Sequence, residues 1–180
     1  YAYDSLVYAA GANSIVPPIA GLEGAVNAGG VRTLADFDRL AEINNGLATA
    51  KHVTILGAGL IGVEVAENLR AMGKEVTVLE GSGQVLPPWD SEFGILARSA
   101  LERNGVAVQL DTLVKEVVRN GSRITGVKLP GRELVATDYL VLSVGIRPNT
   151  ALLTSKGAAA LKNGALLVNA RMETSLKDVY

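Results

Sequence analysis

Val53-Thr54-Ile55-Leu56-Gly57-Ala58-Gly59-Leu60-Ile61-Gly62-Val63-Glu64-Val65-Ala66 is the stretch on which the fold turns. Its first four residues are β-branched or aliphatic and predict a short buried strand. The glycines at 57, 59 and 62 predict a tight turn. Val63 to Met72 then predicts a helix with Ile61, Val65, Leu69 and Met72 on one face, stopped by Gly73. Glu75 to Glu80 reads as a second strand ending in an acid, 18 residues after Gly62. Each part has a physical task. Gly57 permits the turn, Gly59 lets a ligand reach the backbone, and Gly62 lets the helix pack close to the strand. Free amides at the helix start suit a pyrophosphate, and Glu80 can accept both hydroxyls of an adenosine ribose. A glycine turn needed only for helix–strand packing is the bland alternative. Strand, turn, helix, strand and terminal acid in this order favour an adenine dinucleotide.

Working outward, Ser91 to Asn104 predicts a helix with Phe93, Leu96, Ala100 and Leu101 inward, closed by Gly105, and Val106-Ala107-Val108 a third strand. From Leu113 the hydrophobic period shortens. Val114 to Val118, Ile124 to Leu129 and Leu134-Val135 predict an antiparallel meander turning at Asn120-Gly121 and Pro130-Gly131. Tyr139 to Val144 is nearly all apolar, as in a central parallel strand buried on both faces. Upstream, Asp4 to Ala12 predicts a short buried strand ending at Gly11, and Pro17-Pro18 an extended path. Leu34 to Ile43 predicts a helix with Leu34, Phe37, Leu40 and Ala41 on one face; Asn44-Asn45-Gly46 stops it or turns within it. The tail (Leu152, Leu153, Gly164 to Val168) carries another short strand. The expected fold is α/β, a Rossmann-like parallel sheet with helices on both faces. An antiparallel three-stranded meander is inserted between its third and fourth parallel strands.

Composition narrows the function. The 180 residues carry 17 Lys+Arg against 18 Asp+Glu, which leaves no basic footprint for nucleic acid. With no Cys and a single His, His52, neither a thiolate zinc site nor a disulfide nor thiol redox chemistry can reside here. No run approaches the roughly 20 apolar residues of a membrane span. A cytoplasmic setting is expected. The start at Tyr1 without Met and the stop at Tyr180 suggest a domain excised from a longer chain. Glu80 would repel a 2′-phosphate, and Gly81-Ser82-Gly83 brings no Arg or Lys to hold one, so NADH is expected over NADPH.

With these residues in view, the chain resembles the pyridine nucleotide-disulfide oxidoreductase superfamily, whose members have separate FAD and NAD(P)H domains. The segment Tyr3 to Ala12 followed by Pro17-Pro18-Ile19-Ala20-Gly21 is similar to the return from the FAD domain. Gly57-Ala58-Gly59-Leu60-Ile61-Gly62-Val63-Glu64-Val65-Ala66 resembles the GxGxxGxExA turn, and Val144-Gly145-Ile146-Arg147-Pro148-Asn149 the VGxxPN segment. Met172-Glu173-Thr174-Ser175 is similar to the re-entry into the FAD domain. The resemblance implies hydride transfer from NADH to a flavin. Gly57, Ala58, Gly59, Leu60, Ile61 and Gly62 would form the pyrophosphate turn, with Glu80 and the adjoining Gly81 at the adenosine ribose. Glu64 would sit near nicotinamide and flavin, Gly145 and Ile146 would line the nicotinamide pocket, and Ala10 and Gly11 would touch FAD. No catalytic acid, base or nucleophile and no metal ligand is expected.

The resemblance has departures. Leu60 stands where many members have a Tyr that covers the flavin, and Ala10 where Thr is common. The absence of a Cys pair disfavours small thioredoxin reductases. The run Val85 to Asp90 and Leu60 are more similar to the NADH oxidase, coenzyme A-disulfide reductase, nitrite reductase and rubredoxin reductase branch. Residues 1–20 are expected to be a linker from the FAD domain, 21–149 the NAD(H)-binding domain, and 150–180 the return segment. Both terminal segments are expected to be partly disordered or to pack against a neighbouring copy of the chain. The expected partners are the FAD domain of the same chain and an unidentified electron acceptor, with a homodimer left open and no nucleic acid or membrane. By itself the chain is expected to be inactive. A stand-alone dehydrogenase and a non-catalytic nucleotide-binding or interaction module are the alternatives. A short-chain dehydrogenase is disfavoured because no Tyr has a Lys four residues on. Glu64 read as a first-turn acid favoured by the helix dipole, Trp89 as a surface aromatic and His52 as an exposed edge residue are the bland alternatives.

Overall fold

The computed structural model describes residues 2–23, 31–33, 40–131 and 134–180. In chain order the elements are β1 (Ala12–Ser14), β2 (Val31–Thr33), α1 (Leu40–Thr49), β3 (His52–Leu56), α2 (Leu60–Ala71), β4 (Glu75–Leu79) and α3 (Ser91–Arg103). There follow β5 (Val106–Gln109), β6 (Glu116–Asn120), β7 (Arg123–Lys128), β8 (Leu134–Ala136), β9 (Tyr139–Leu142), β10 (Ile146–Pro148) and α4 (Ala151–Thr154). They form two compact units, residues 14–145 and residues 1–13 with 146–180.

The larger unit is built on a five-stranded parallel sheet in the order β2-β9-β3-β4-β5. β9 has all four residues buried, as its apolar run predicted. The strand alternation splits the core in two. Val53, Ile55, Val76, Val78, Tyr139 and Val141 face one side with Ala50, Ala66, Leu69 and Leu101, so α2, α3 and the end of α1 pack there. Leu56, Leu79, Leu140 and Leu142 face the other side and meet Val117, Ile124 and Val127 of the antiparallel sheet β6-β7-β8. The α/β class, the parallel sheet and the meander are as expected, but helices on both faces are not. Among the described residues the meander takes the second face, because its own alternating apolar positions close that layer.

Several local expectations change. β2, parallel to β9, was not anticipated; three residues are too few to show a period. Of the Leu34 to Ile43 helix, residues 34–39 lie outside the described residues. From Leu40 it runs through Asn44-Asn45-Gly46 to Thr49 without a stop. The buried face of α2 is Gly62, Ala66 and Leu69, while Ile61 and Met72 are exposed. In α3 Gly94 and Leu101 are buried, and Phe93 and Leu96 are exposed. One physical reason is common to both helices: at Gly62 and Gly94 neighbouring backbone comes so close that no side chain fits. A Cβ on Gly94 would stand 2.6 Å from the Val85 carbonyl oxygen. The larger apolar residues are left outside; Phe93 meets Trp89 edge-on at 5.6 Å.

The smaller unit has its own core of Leu153, Ala158 and Val179, with Leu6, Tyr8, Leu166 and Leu176 packed against it. The terminal segments, expected to be partly disordered, fold together around these side chains. The opening run is not a buried strand: Leu6 and Tyr8 pair along one edge with residues 178–180, and Val7 is 74% exposed. The tail strand is reduced to a single bridge between Ala160 and Leu166, preceded by α4.

Asp138 ties the starts of β9 and β3. One of its carboxylate oxygens accepts the amides of Lys51 and His52, each at 3.0 Å. The His52 amide chiefly holds its pKa below the usual carboxylate value; burial opposes, and the Lys51 amide and the His52 and Arg123 charges assist. The stabilisation is therefore present above the unfolded pKa and lost as pH falls through the lowered folded value. Asp138→Asn should lower stability at neutral pH, and the gap from the parent should close in acid; urea titrations across pH 2–7 read this. Gly94→Ala should cost about 1–3 kcal/mol in the same assay, despite the roughly 1 kcal/mol gain in helix propensity. A stabilised variant would mean the helix can move off Val85.

Candidate dinucleotide-binding site

β3 ends at Leu56, and the chain turns at once into α2. Gly57 has φ +99, a left-handed conformation that a side chain would strain. A Cβ there would also run into the Ser143 carbonyl at the end of β9. Its amide donates to the Leu79 carbonyl at 2.9 Å, fixing the turn to β4. Gly62 faces inward in the first turn of α2, and a Cβ on it would strike the Gly57 carbonyl. These two glycines therefore allow the helix to seat against the strand.

Gly59 differs. It is the N-cap of α2, in an extended conformation (φ −71, ψ −175) with no side-chain cap. A Cβ added there would meet nothing within 4 Å. Packing does not require glycine at this position, and the space beside it is open. The first-turn amides beyond it lack intrahelical acceptors and carry the positive end of the helix dipole. Leu60 and Ile61 flank it, 61% and 55% exposed.

Glu80 follows β4 directly and turns toward this corner. Its Oε2 accepts the Ala58 amide at 2.7 Å, and its Oε1 accepts the Ser82 amide at 2.8 Å. A carboxylate offers about four acceptor positions, so each oxygen keeps capacity for a further donor such as a ribose hydroxyl. The next loop is tied to the same corner. Leu86 donates to the Ala58 carbonyl at 2.9 Å, and the Gln84 amide donates to the Trp89 carbonyl at 2.8 Å. Leu86 itself has φ +54. Gly81 is exposed with Leu113 beside it, a Cβ there falling 2.8 Å from Leu113 Cδ2.

The other expected residues are placed as follows. Gly145 ends the larger unit with φ +103, and its carbonyl accepts the Ile15 amide at 2.9 Å. Glu64 is exposed and lies outside the first turn of α2, which contains no acid, so its reading as a first-turn dipole partner fails. In the smaller unit Ile146 is 60% exposed. Asn149 holds both Ala10 and Gly11: its side-chain amide donates to the Ala10 carbonyl at 3.1 Å and its backbone amide to the Gly11 carbonyl at 2.9 Å. His52 pairs through Nδ1 with Glu75 at 2.9 Å. Trp89 is a surface aromatic, 47% exposed. No cluster of metal-ligating side chains occurs among the described residues.

The sequence reading missed Ser82, Ser143 and Leu113, which only tertiary pairing brings to the corner. For Ser143 there was a usable signal, its position directly before Val144-Gly145. Packing and opening separate cleanly at the three glycines. Gly59→Val should leave the fold within about 1 kcal/mol of the parent, whereas Gly57→Val and Gly62→Val should each cost about 2–4 kcal/mol. Denaturant melts of the three variants check this.

The whole chain, residues 1–180, matches the family described as pyridine nucleotide-disulphide oxidoreductase. It is 33% identical to an NADH oxidase of Streptococcus pyogenes serotype M6, over 99% of this chain and 41% of that protein. The water-forming NADH oxidase from Lactobacillus brevis, solved bound to NADH, superposes with a TM-score of 0.86 at 28% identity, covering all of this chain and 39% of that one. A variant of that enzyme engineered as a water-forming NADPH oxidase and solved with NADPH gives a TM-score of 0.86 at 27% identity, over the same share of each chain. The chain thus spans less than half the length of these relatives and matches the NADH-binding part of FAD-dependent oxidoreductases. Sequence and superposition agree along its full length: the chain belongs to the pyridine nucleotide-disulphide oxidoreductase family.

Proposed function

We propose that this chain is the NADH-binding segment of an FAD-dependent oxidoreductase, with residues 21–149 forming the nucleotide domain. Residues 1–20 and 150–180 then lead from and back to the FAD side. The observation that carries the reading is the corner itself: an open, uncapped helix start at Gly59 beside a carboxylate anchored by the Ala58 amide. The residues fit the group. A side chain at Gly59 would fill the space a pyrophosphate needs, and Glu80 keeps free acceptor positions on both oxygens.

In this reading the backbone of residues 57–62 holds the pyrophosphate, and Glu80 orients the adenosine ribose beside Gly81. The backbone of Gly145 and Ile146 lines the nicotinamide, Glu64 lies toward nicotinamide and flavin, and Ala10 and Gly11 face FAD. The bound nucleotide supplies a hydride to the flavin. The chain contributes position and electrostatics, and by itself is inactive as an oxidoreductase. The rest of the protein and an electron acceptor are its partners, and the setting is cytoplasmic.

NADH is preferred over NADPH because a 2′-phosphate would meet the Glu80 carboxylate, with no cation at residues 81–83 to offset it. The engineered NADPH oxidase supports this. Its substitutions replace an aspartate 18 residues after a replaced glycine, the spacing from Gly62 to Glu80. Calorimetry on this chain should show NADH binding at least about tenfold tighter than NADPH, the worth of roughly 1.4 kcal/mol. Glu80→Arg should abolish or invert that ratio. An unchanged ratio would remove Glu80 from the role, and no NADH binding by the parent chain would remove the reading.

A further inference from the structure

The sheet order places β9 beside β3, while the chain leaves β3 toward β4 and β5 on the other side. The carboxyl ends of β3 and β9 therefore bound the crevice where the strand order reverses, the place where open α/β sheets bind ligands. Gly57 stands at the end of β3. Across from it, directly after β9, stands Ser143. Its amide donates to the Leu56 carbonyl at 2.8 Å, locking the two strand ends together.

Ser143 is confined by its neighbours. Its carbonyl occupies the space a Cβ on Gly57 would need, and its Oγ lies 3.4 Å from where a Cβ on Gly62 would stand. The side chain thus lies beneath the first turn of α2, where a bulkier residue would press the helix away. Packing alone is satisfied by alanine, and what serine adds is the hydroxyl. That hydroxyl makes no hydrogen bond to another described residue, and the residue is only half-buried. A free donor, fixed directly after a central strand by its amide bond to Leu56, is thus available at the crevice beside the uncapped helix start.

We propose that Ser143 is a further binding residue for the dinucleotide, its hydroxyl donating to a pyrophosphate oxygen, directly or through one water. The inference rests on the NADH-binding reading above. It makes the pyrophosphate site two-sided: backbone amides from α2 on one side, a side-chain donor just past β9 on the other. A hydrogen bond to a charged oxygen is worth more than a neutral one, so the loss is measurable even with the helix start intact.

The test is Ser143→Ala in the 180-residue chain, titrated with NADH, ADP-ribose and AMP. ADP-ribose keeps the pyrophosphate without nicotinamide; AMP keeps adenosine and lacks the pyrophosphate. NADH and ADP-ribose should each bind about tenfold more weakly, AMP should bind as to the parent, and the unliganded melting temperature should stay within about 2 °C. Unchanged NADH affinity overturns the proposal. So does a loss shared equally by AMP, which would mark a merely structural role, or a loss for NADH but not ADP-ribose, which would move the contact to the nicotinamide side. If the parent chain binds none of the three ligands, the underlying reading fails instead, so the two failures are distinct.

Discussion

The contact between the Gly57 carbonyl and the inward face of Gly62 sets the distance between the end of β3 and the start of α2. Everything functional at the corner follows from that distance. The half-buried Gly59 then borders open space, and the Ala58 amide comes within 2.7 Å of the Glu80 carboxylate just after the neighbouring strand. A side chain at position 62 would lift the helix and separate its first-turn amides from the Glu80 carboxylate.

The same economy of space runs through the rest of the helical layer. α2 and α3 bury Gly62, Ala66, Leu69, Gly94 and Leu101, and leave Ile61, Met72, Phe93 and Leu96 outside. Close approach gains contact between helix backbone and sheet, at the cost of burying fewer large side chains. On the opposite face the meander seals the sheet with Val117, Ile124 and Val127. The corner formed by the glycine turn is thus supported from below on both sides.

Glu80 illustrates how one side chain can be both structural and selective. Two backbone amides fix its carboxylate, so a ribose meets a pre-placed acceptor and orders no flexible side chain on binding. The Ser82–Trp89 loop is fastened to the glycine turn by Leu86 and internally by Gln84. Acid, loop and turn consequently behave as one rigid rim. In the proposed role, specificity for the sugar comes from charge and from the distances already built into the fold.

The local sequence determined the strand–turn–helix–strand unit, the three glycines with their separate tasks, the terminal Glu80, the meander with its Asn120-Gly121 and Pro130-Gly131 turns, and the wholly buried β9. Those features rest on short-range physics: backbone conformations few residues tolerate, period-two and continuous apolar runs, and turn chemistry. Tertiary structure alone decided which face each helix buries, that α2, α3 and the end of α1 share one side of the sheet, that Val31–Thr33 joins it as an edge, and that Ser143 and Ser82 arrive at the corner. The reason is that these outcomes depend on interlayer distance and strand order. A sequence read locally favours the largest apolar residue for burial, whereas the close backbone approaches at Gly62 and Gly94 admit only glycine, and strands far apart in the chain meet only when the sheet is assembled.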